Sequence, residues 1–255
     1  MSLNIASWNV NSLKARQEHV VKWLQENAVD VLFLQELKGE EFPETLFMDL
    51  GHHSVYTSQK AYNGVAILSK HPINLIADAL PQSEADDQAR YLEADIAGIR
   101  HICIYLPNGN PVDSDKLSYK HQWMQRLYNR LATLRNDRIP FLVGGDFNII
   151  PHAIDCANES QWVGDALYLP ESRALFQSFL NLGLIDAWRT MHPNDIEYSF
   201  WDYQAGAWQR NNGIRIDHFL TSPTISDRIL DCKIDKIPRS WDRPSDHVPI
   251  ILTLL

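Results

Sequence analysis

The chain has 255 residues, 45% of them hydrophobic, and a formal net charge of -9. A chain of this length buries roughly 70–75% of its unfolded surface, so it needs neither disulfides nor a structural metal to fold. The acidic balance excludes a generally basic coat for nucleic acid but leaves room for a local footprint.

Residues 3–8 (LNIASW) predict a first strand, and a helix is expected over 13–27, with Ser12 as N-cap and Val20, Trp23 and Leu24 on one face. Strand-like runs follow at 29–35, 53–58, 64–69, 91–96 and 101–106. A long helix over 116–135 carries Trp123, Leu127, Leu131 and Leu134 at helical spacing. After a strand at 140–145, a helix over 172–182 repeats the pattern with Leu175, Phe179 and Leu182. Strands at 215–220, 232–237 and 248–254 complete the chain. These apolar stripes are core, not cofactor sites. No linker, charge block or short repeat divides the sequence, so residues 1–255 read as one domain. Strands without regular strand-helix alternation suit sheets packed face to face, with helices outside. Cys103, Cys156 and Cys232 are scattered and lack CxxC spacing, which predicts reduced thiols in a cytoplasmic protein. The opening SLNIASWNV has no signal-peptide pattern, and no run reaches the ~20 apolar residues of a membrane span.

Polar residues stand where these strands end. FLVGGDFN stops at Gly144-Gly145 and delivers Asp146 and Asn148, which share a face if the chain stays extended. VDVLFLQE ends on Glu36, GIRIDHFL carries Asp217, and PSDHVPIILTLL opens its strand with Asp246-His247. Neighbours in an extended segment point opposite ways, so His247 is not expected to share the role of Asp246. Oxygen ligands with one histidine suit a hard cation and phosphoryl chemistry, and the absence of HExxH or HxH spacing disfavours a zinc hydrolase. Taken alone, Asn9 and Asp246 are equally turn residues and Tyr105 a half-buried core tyrosine.

In this order, IASWNVN, LFLQELK, NGVAILSK, IYLPNG, GGDFNIIP, RIDHFL and SDHVPI resemble the endonuclease/exonuclease/phosphatase superfamily. Within it the sequence is most similar to the exodeoxyribonuclease III branch, which includes the abasic-site endonucleases. The resemblance runs from about Asn4 to the C-terminus. It implies an α+β four-layer αββα sandwich, two packed mixed sheets flanked by helices, with the site on loops at one end. It also implies Mg²⁺ or Mn²⁺ held by Glu36 and Asp246, with Asn9 orienting metal and phosphate. Asn11 stands where some relatives carry aspartate, which weakens the case for a second ion, so one essential metal is expected.

The same resemblance makes Asp146 the base or water-orienter, Asn148 its partner, and His247, held by Asp217, a cation facing the phosphate. Tyr105 becomes a hydrogen-bond donor to phosphate or leaving group, Asn108 and Asn11 substrate contacts, and Lys38 an electrostatic assistant. Phe200, Ile214 and Ile216 match a small pocket for a base-less sugar, with Trp201 and Trp208 nearby. Ile214 replaces a tryptophan of some relatives, and this looser wall predicts substantial exonuclease activity. Lys116, Lys120, Arg126, Arg210, Arg215, Arg239 and Arg243 are candidate phosphate contacts.

The function so implied is hydrolysis of duplex DNA 5′ to abasic sites, with 3′→5′ exonuclease and 3′-phosphatase activity, by a monomer independent of membranes. A phosphatase of phosphoinositides or other small esters shares the metal core, but SFWDYQAGAWQRNNGIRID reads as in the DNA-repair branch. A secreted nuclease would call for a signal peptide and disulfides. A non-catalytic module would call for a degraded site, whereas every core position here holds a competent residue.

Overall fold

The computed structural model describes residues 2–82 and 86–255. One six-stranded sheet contains β1 (Leu3–Asn9), β2 (Val31–Gln35), β3 (His53–Thr57), β4 (Val65–Ser69), β11 (Ile229–Ile234) and β12 (Ile250–Leu254), in the order β11-β12-β1-β2-β4-β3. The other contains β5 (Asn74–Ala77), β6 (Tyr91–Ile96), β7 (Ile99–Tyr105), β8 (Phe141–Asp146), β9 (Ile185–Asp186) and β10 (Asp217–Thr221), in the order β5-β6-β7-β8-β10-β9.

Strand periodicity explains the layers. Ile5, Phe33 and Ile67 of the first sheet meet Leu92, Cys103, Leu142 and Phe219 of the second in a shared core. The alternate residues Ala6, Trp8, Leu32 and Leu34 face outward under α1 (Leu13–Glu26), against Val20 and Trp23. Ile102, Ile104 and Val143 do the same under α3 (Asp115–Asn136) and α4 (Pro170–Asn181), against Trp123, Leu127 and Phe179. The result is the αββα sandwich. Ser12 caps α1 through a bond from the Ala15 N–H, as its position before the apolar stripe predicts.

The short elements escaped the sequence patterns. Strand β5 lies at a sheet edge with Leu75 and Ile76 exposed, so it shows no alternation. Helix α2 (Glu44–Asp49) buries one side chain, Phe47, and α5 (Ala187–Met191) and α6 (Pro223–Ser226) are a turn or so long. Strand β11 begins three residues before the predicted 232, and β12 begins at Ile250, leaving Asp246 and His247 on the segment that leads into it.

Each sheet has one parallel pair at its centre: β1 with β2, bridged by α1, and β7 with β8, bridged by α3. Asn9 opposes Gln35 at the end of the first pair, and Tyr105 opposes Asp146 at the end of the second. Antiparallel β10 sets Asp217 opposite Asp146. The carboxyl ends of both parallel pairs thereby converge on one rim.

Candidate active site

Tight turns push the polar residues out of the strand ends. Backbone φ is positive at Asn11 (45°), Glu36 (56°), Lys38 (51°) and Asn148 (48°), a conformation costly for most side chains but tolerated by asparagine. Bonds from Ser12 N–H to Glu36 O (2.8 Å) and from Leu13 N–H to Leu37 O (3.0 Å) continue the β1–β2 pairing beyond the strands and hold these turns. In the other sheet, Gly145 lies so close to β7 that a Cβ would meet Ile104 O at 1.9 Å.

At the centre, His247 Nδ1–H donates to Asp217 Oδ2 at 2.8 Å, and its Nε2 lies 3.6 Å from Asp146 Oδ2. Burial disfavours a charged imidazole, but Asp217 and Asp146 outweigh it and push His247 up to about 10. Burial also raises Asp146 above the ordinary carboxylate range, with Asp217 and Glu36 adding and His247 opposing. For Glu36 burial is opposed by Lys38, Asn9 and His247, which together hold its carboxyl below the ordinary range. Burial, reinforced by Glu36 and Asp146, keeps the Tyr105 phenol protonated well above 10.

Glu36, Asp146 and His247 bring ligand atoms within 4.8 Å of one another. A protonated imidazole has no lone pair for a metal, so the carboxylates are the usable ligands. Among the described residues Glu36 pairs with Lys38, and Asp146 and Asp217 share the His247 cation, while Asp246 has no ion-pair partner, so four carboxylates stand against two directly paired cations, a negative surplus that fits a hard divalent ion. The Lys38 ammonium, 2.6 Å from Glu36 Oε2, marks where positive charge is received.

Several predicted residues take different places. Asn9 Nδ2 donates to Glu36 Oε1 (2.8 Å) and Asp146 Oδ2 (3.0 Å), while its Oδ1 accepts the Asn11 N–H (3.0 Å). It therefore joins the two carboxylates. Asp246 stands outside the close trio and accepts from Asn11 Nδ2 at 3.1 Å; Asn11 Oδ1 in turn accepts from Lys38 Nζ at 2.5 Å. The shared face expected of Asp146 and Asn148 does not form, because the left-handed turn at Asn148 ends the extended chain. Its backbone N–H bonds Asp146 Oδ1 (2.8 Å), and its carboxamide joins Leu106 O (2.9 Å) to exposed Asn108 (3.0 Å).

Phe200 packs edge-on against His247, ring centroids 4.9 Å apart. Ile214 and Ile216 lie behind it, packed with Leu167 and Tyr168, and are only 2% exposed. Trp201 is fully buried among Tyr198, Ala207 and Val248 and has no surface for a substrate; Trp208 packs edge-on to it. Arg210 is exposed. Of the basic candidates, Lys116 and Arg243 are exposed and Arg126 pairs with Asp86, whereas Lys120, Arg215 and Arg239 are buried and bonded to protein groups.

Two further residues carry no signal in the sequence. Arg16 reaches the carbonyls of Asn11, Arg243 and Pro244 and the Tyr203 hydroxyl, tying together three loops around Asp246. Arg90 lies 4.7 Å over the Tyr105 ring. Both act across chain separations that no local motif reports.

The sequence matches the Endonuclease/Exonuclease/phosphatase family over residues 6–247. It is 32% identical to exodeoxyribonuclease III of Haemophilus influenzae, covering 97% of this chain and 98% of that one. Among solved structures, NExo of Neisseria, a 3′ phosphatase bound to a product DNA hairpin, superposes with a TM-score of 0.96 at 37% identity, covering 99% of each chain. An AP endonuclease from Archaeoglobus fulgidus gives 0.95 at 37% identity, again over 99% of each chain. By sequence and by fold, the chain belongs to the Endonuclease/Exonuclease/phosphatase family, in its exodeoxyribonuclease III and AP endonuclease branch.

Proposed function

We propose that this protein cleaves the phosphodiester 5′ to abasic sites in double-stranded DNA, and that it trims nucleotides and removes phosphates from 3′ ends. The whole chain would work as one nuclease domain, a monomer of the cytoplasm. The observation that carries this reading is the Asp217–His247–Asp146 chain of contacts, 2.8 and 3.6 Å, beside Glu36 in a pocket of surplus negative charge. Phosphodiester hydrolysis needs an oriented water, a cationic clamp on the phosphate and a stabilised leaving oxygen.

Asp146, raised by burial, accepts a proton from water and aims it in line with phosphorus. Its Oδ1 is fixed by the Asn148 N–H and its Oδ2 by Asn9, so the lone pairs have a defined direction. The His247 imidazolium, held by Asp217, faces the charge that builds on the phosphoryl oxygens. Tyr105 and Asn108 donate hydrogen bonds to phosphate, Tyr105 with its phenol kept protonated. Mg²⁺ or Mn²⁺, one essential ion, would be held by Glu36 with Asp146 or Asp246 at its margin, and would supply Lewis-acid neutralisation of the phosphate and leaving oxygen. Phe200, backed by the buried Ile214 and Ile216, is the apolar side toward the sugar, and the exposed Arg210 is a contact for flanking phosphates.

A gel assay tests this with three duplexes: abasic, nicked and 3′-phosphate-terminated. Metal-dependent cleavage of all three is expected. Failure to cut any of them, together with hydrolysis of a soluble phosphate monoester, would overturn the reading.

A further inference from the structure

Lys120 was a candidate phosphate contact, yet it is fully buried on α3, a location that needs its own account. Its Nζ donates to Asn108 O (2.9 Å), Asn148 O (2.7 Å) and Ala166 O (3.2 Å). Those three bonds use every donor an ammonium has. The carbonyls belong to three separate loops. The first two carry Asn108 and Asn148, whose side chains bond each other at 3.0 Å, and Asn148 fixes Asp146 through its backbone N–H. The third leads into Leu167 and Tyr168, which pack with Ile214 and Ile216 behind Phe200.

The alkyl stem of Lys120 is held as closely as its head. It passes beneath Gly109, where an added Cβ would meet Lys120 Cδ at 2.7 Å and Ala166 Cβ at 3.1 Å, and where φ is +91°. The loop has thus closed onto the stem, with no slack for an alternative path. A surface lysine would retain its hydration and rotamer freedom; this one has exchanged both for three carbonyls that would otherwise be left unpaired.

We propose that Lys120 is a positioning residue that sets the separation between the amide side of the site, which meets phosphate, and the apolar side, which meets sugar. This rests on the reading of the site as a DNA phosphodiesterase. Because Lys120 touches two sides that different substrates use to different extents, its loss should change selectivity as well as rate. Misplacement of a substrate-positioning group by about 1 Å reduces turnover by about 10²-fold.

The test compares Lys120→Met with wild type on abasic and on 3′-phosphate duplexes, with Mn²⁺ binding measured by calorimetry without DNA. Expected is a kcat loss of about 10²-fold for abasic incision, a smaller loss for 3′-phosphate removal, and unchanged Mn²⁺ affinity, since Lys120 contacts neither Glu36 nor Asp146. An equal fall of both activities, in proportion to the folded fraction, would make Lys120 purely structural and overturn the inference. So would no change. Should Lys120→Met fail to fold, Gly109→Ala carries the test, because its added Cβ would meet Lys120 Cδ at 2.7 Å and shift the stem, drawing the ammonium off its three carbonyls while keeping the charge. The same unequal loss is expected, and a uniform one overturns the proposal. A wild-type protein inactive on both duplexes would instead overturn the function itself.

Discussion

Asp217 and His218 are neighbours on β10, and they face two very different charge clusters. Asp217 turns to the rim and holds His247, among four carboxylates with two cations. His218 turns inward, where its Nδ1 lies 2.9 Å from Arg215 Nη1 and its Nε2 3.1 Å from Ile149 O. There Arg215 also grips Asp155 and Asp186, both at 2.8 Å, and Arg189 adds a 2.6 Å bond to Asp155. Two carboxylates meet two guanidiniums, and charge is balanced. Burial would raise Asp186, but Arg215 and His218 hold it far below the ordinary carboxylate range. The inward cluster is complete as built, whereas the rim cluster carries a charge that only something from outside can neutralise. Burial and ion pairs are common to both, so it is the imbalance that distinguishes a site from a scaffold.

The largest effect expected from this contrast is that of metal. EDTA should abolish cleavage and Mg²⁺ or Mn²⁺ should restore it, while thermal melting of the inward cluster's surroundings should hardly respond. Full activity in excess chelator would remove the rim's surplus charge from the mechanism.

Next in size is Arg215→Met. Removing one partner from a buried pair leaves Asp155 and Asp186 uncompensated, at about 3–5 kcal/mol of stability. Denaturant melts should show that loss, while kcat per folded molecule stays near wild type. If kcat falls and stability does not, the two clusters have exchanged the roles assigned here.

The converse is expected of Asp146→Asn and His247→Asn. Each should lower kcat by at least about 10²-fold with DNA affinity nearly retained, because both groups act mainly in the transition state. Asp146→Asn relieves repulsion with Asp217 and Glu36, so its melting temperature should not fall. A change confined to KM would move these residues from chemistry to binding.

The smallest effect concerns a buried histidine that belongs to neither cluster. His101 donates from Nδ1 to Ile99 O at 2.9 Å, and burial lowers it from 6.5 to about 4. Below 6.5 the unfolded chain binds a proton that the folded chain refuses. Its contribution to stability is therefore lost as pH falls from 6.5 toward 4, by at most about 1.4 kcal/mol per pH unit, and levels off below that. The difference in unfolding free energy between wild type and His101→Phe, followed across this window, should show that slope. A flat difference curve would mean that His101 accepts its proton while folded. With His247 the comparison is direct: equal burial shifts the ring down where no carboxylate touches it, and up where two do.

How far these differences could be read in advance depends on chain distance. Glu36 and Asp146 announce themselves because an acid closing an apolar run is a local feature. The long helices were legible for the same reason, their apolar residues recurring within a few turns. Arg215, two residues from Asp217 and three from His218 in the pattern RIDHF, looked like a phosphate contact. Its true partners, Asp155 and Asp186, lie 60 and 29 residues away. Asn9 was expected at the end of the first strand, but its bonds to Glu36 and Asp146 join residues 27 and 137 positions away, which no local pattern reports. Asn148 departed from the extended pattern because asparagine enters left-handed backbone at little cost, and alternation alone does not reveal such a turn. The short β5 and β9 form at sheet edges, where few side chains are buried and periodicity fades.

The pairing of β1 with both β2 and β12 gives the order of synthesis a chemical meaning. Trp8 Nε1 donates to His247 O, and Ser245 Oγ to Asn9 O, so the rim is stitched from residues at opposite ends of the chain. As the polypeptide leaves the ribosome, Glu36 and Asp146 emerge long before the imidazole they face. A nascent or truncated chain that stops short of residue 246 holds Glu36 and Asp146 without the imidazole that faces Asp146, and β1 has an open edge where β12 would pair. The rim is therefore complete only when the last strand is in place, and an unfinished copy is expected to lack nuclease activity.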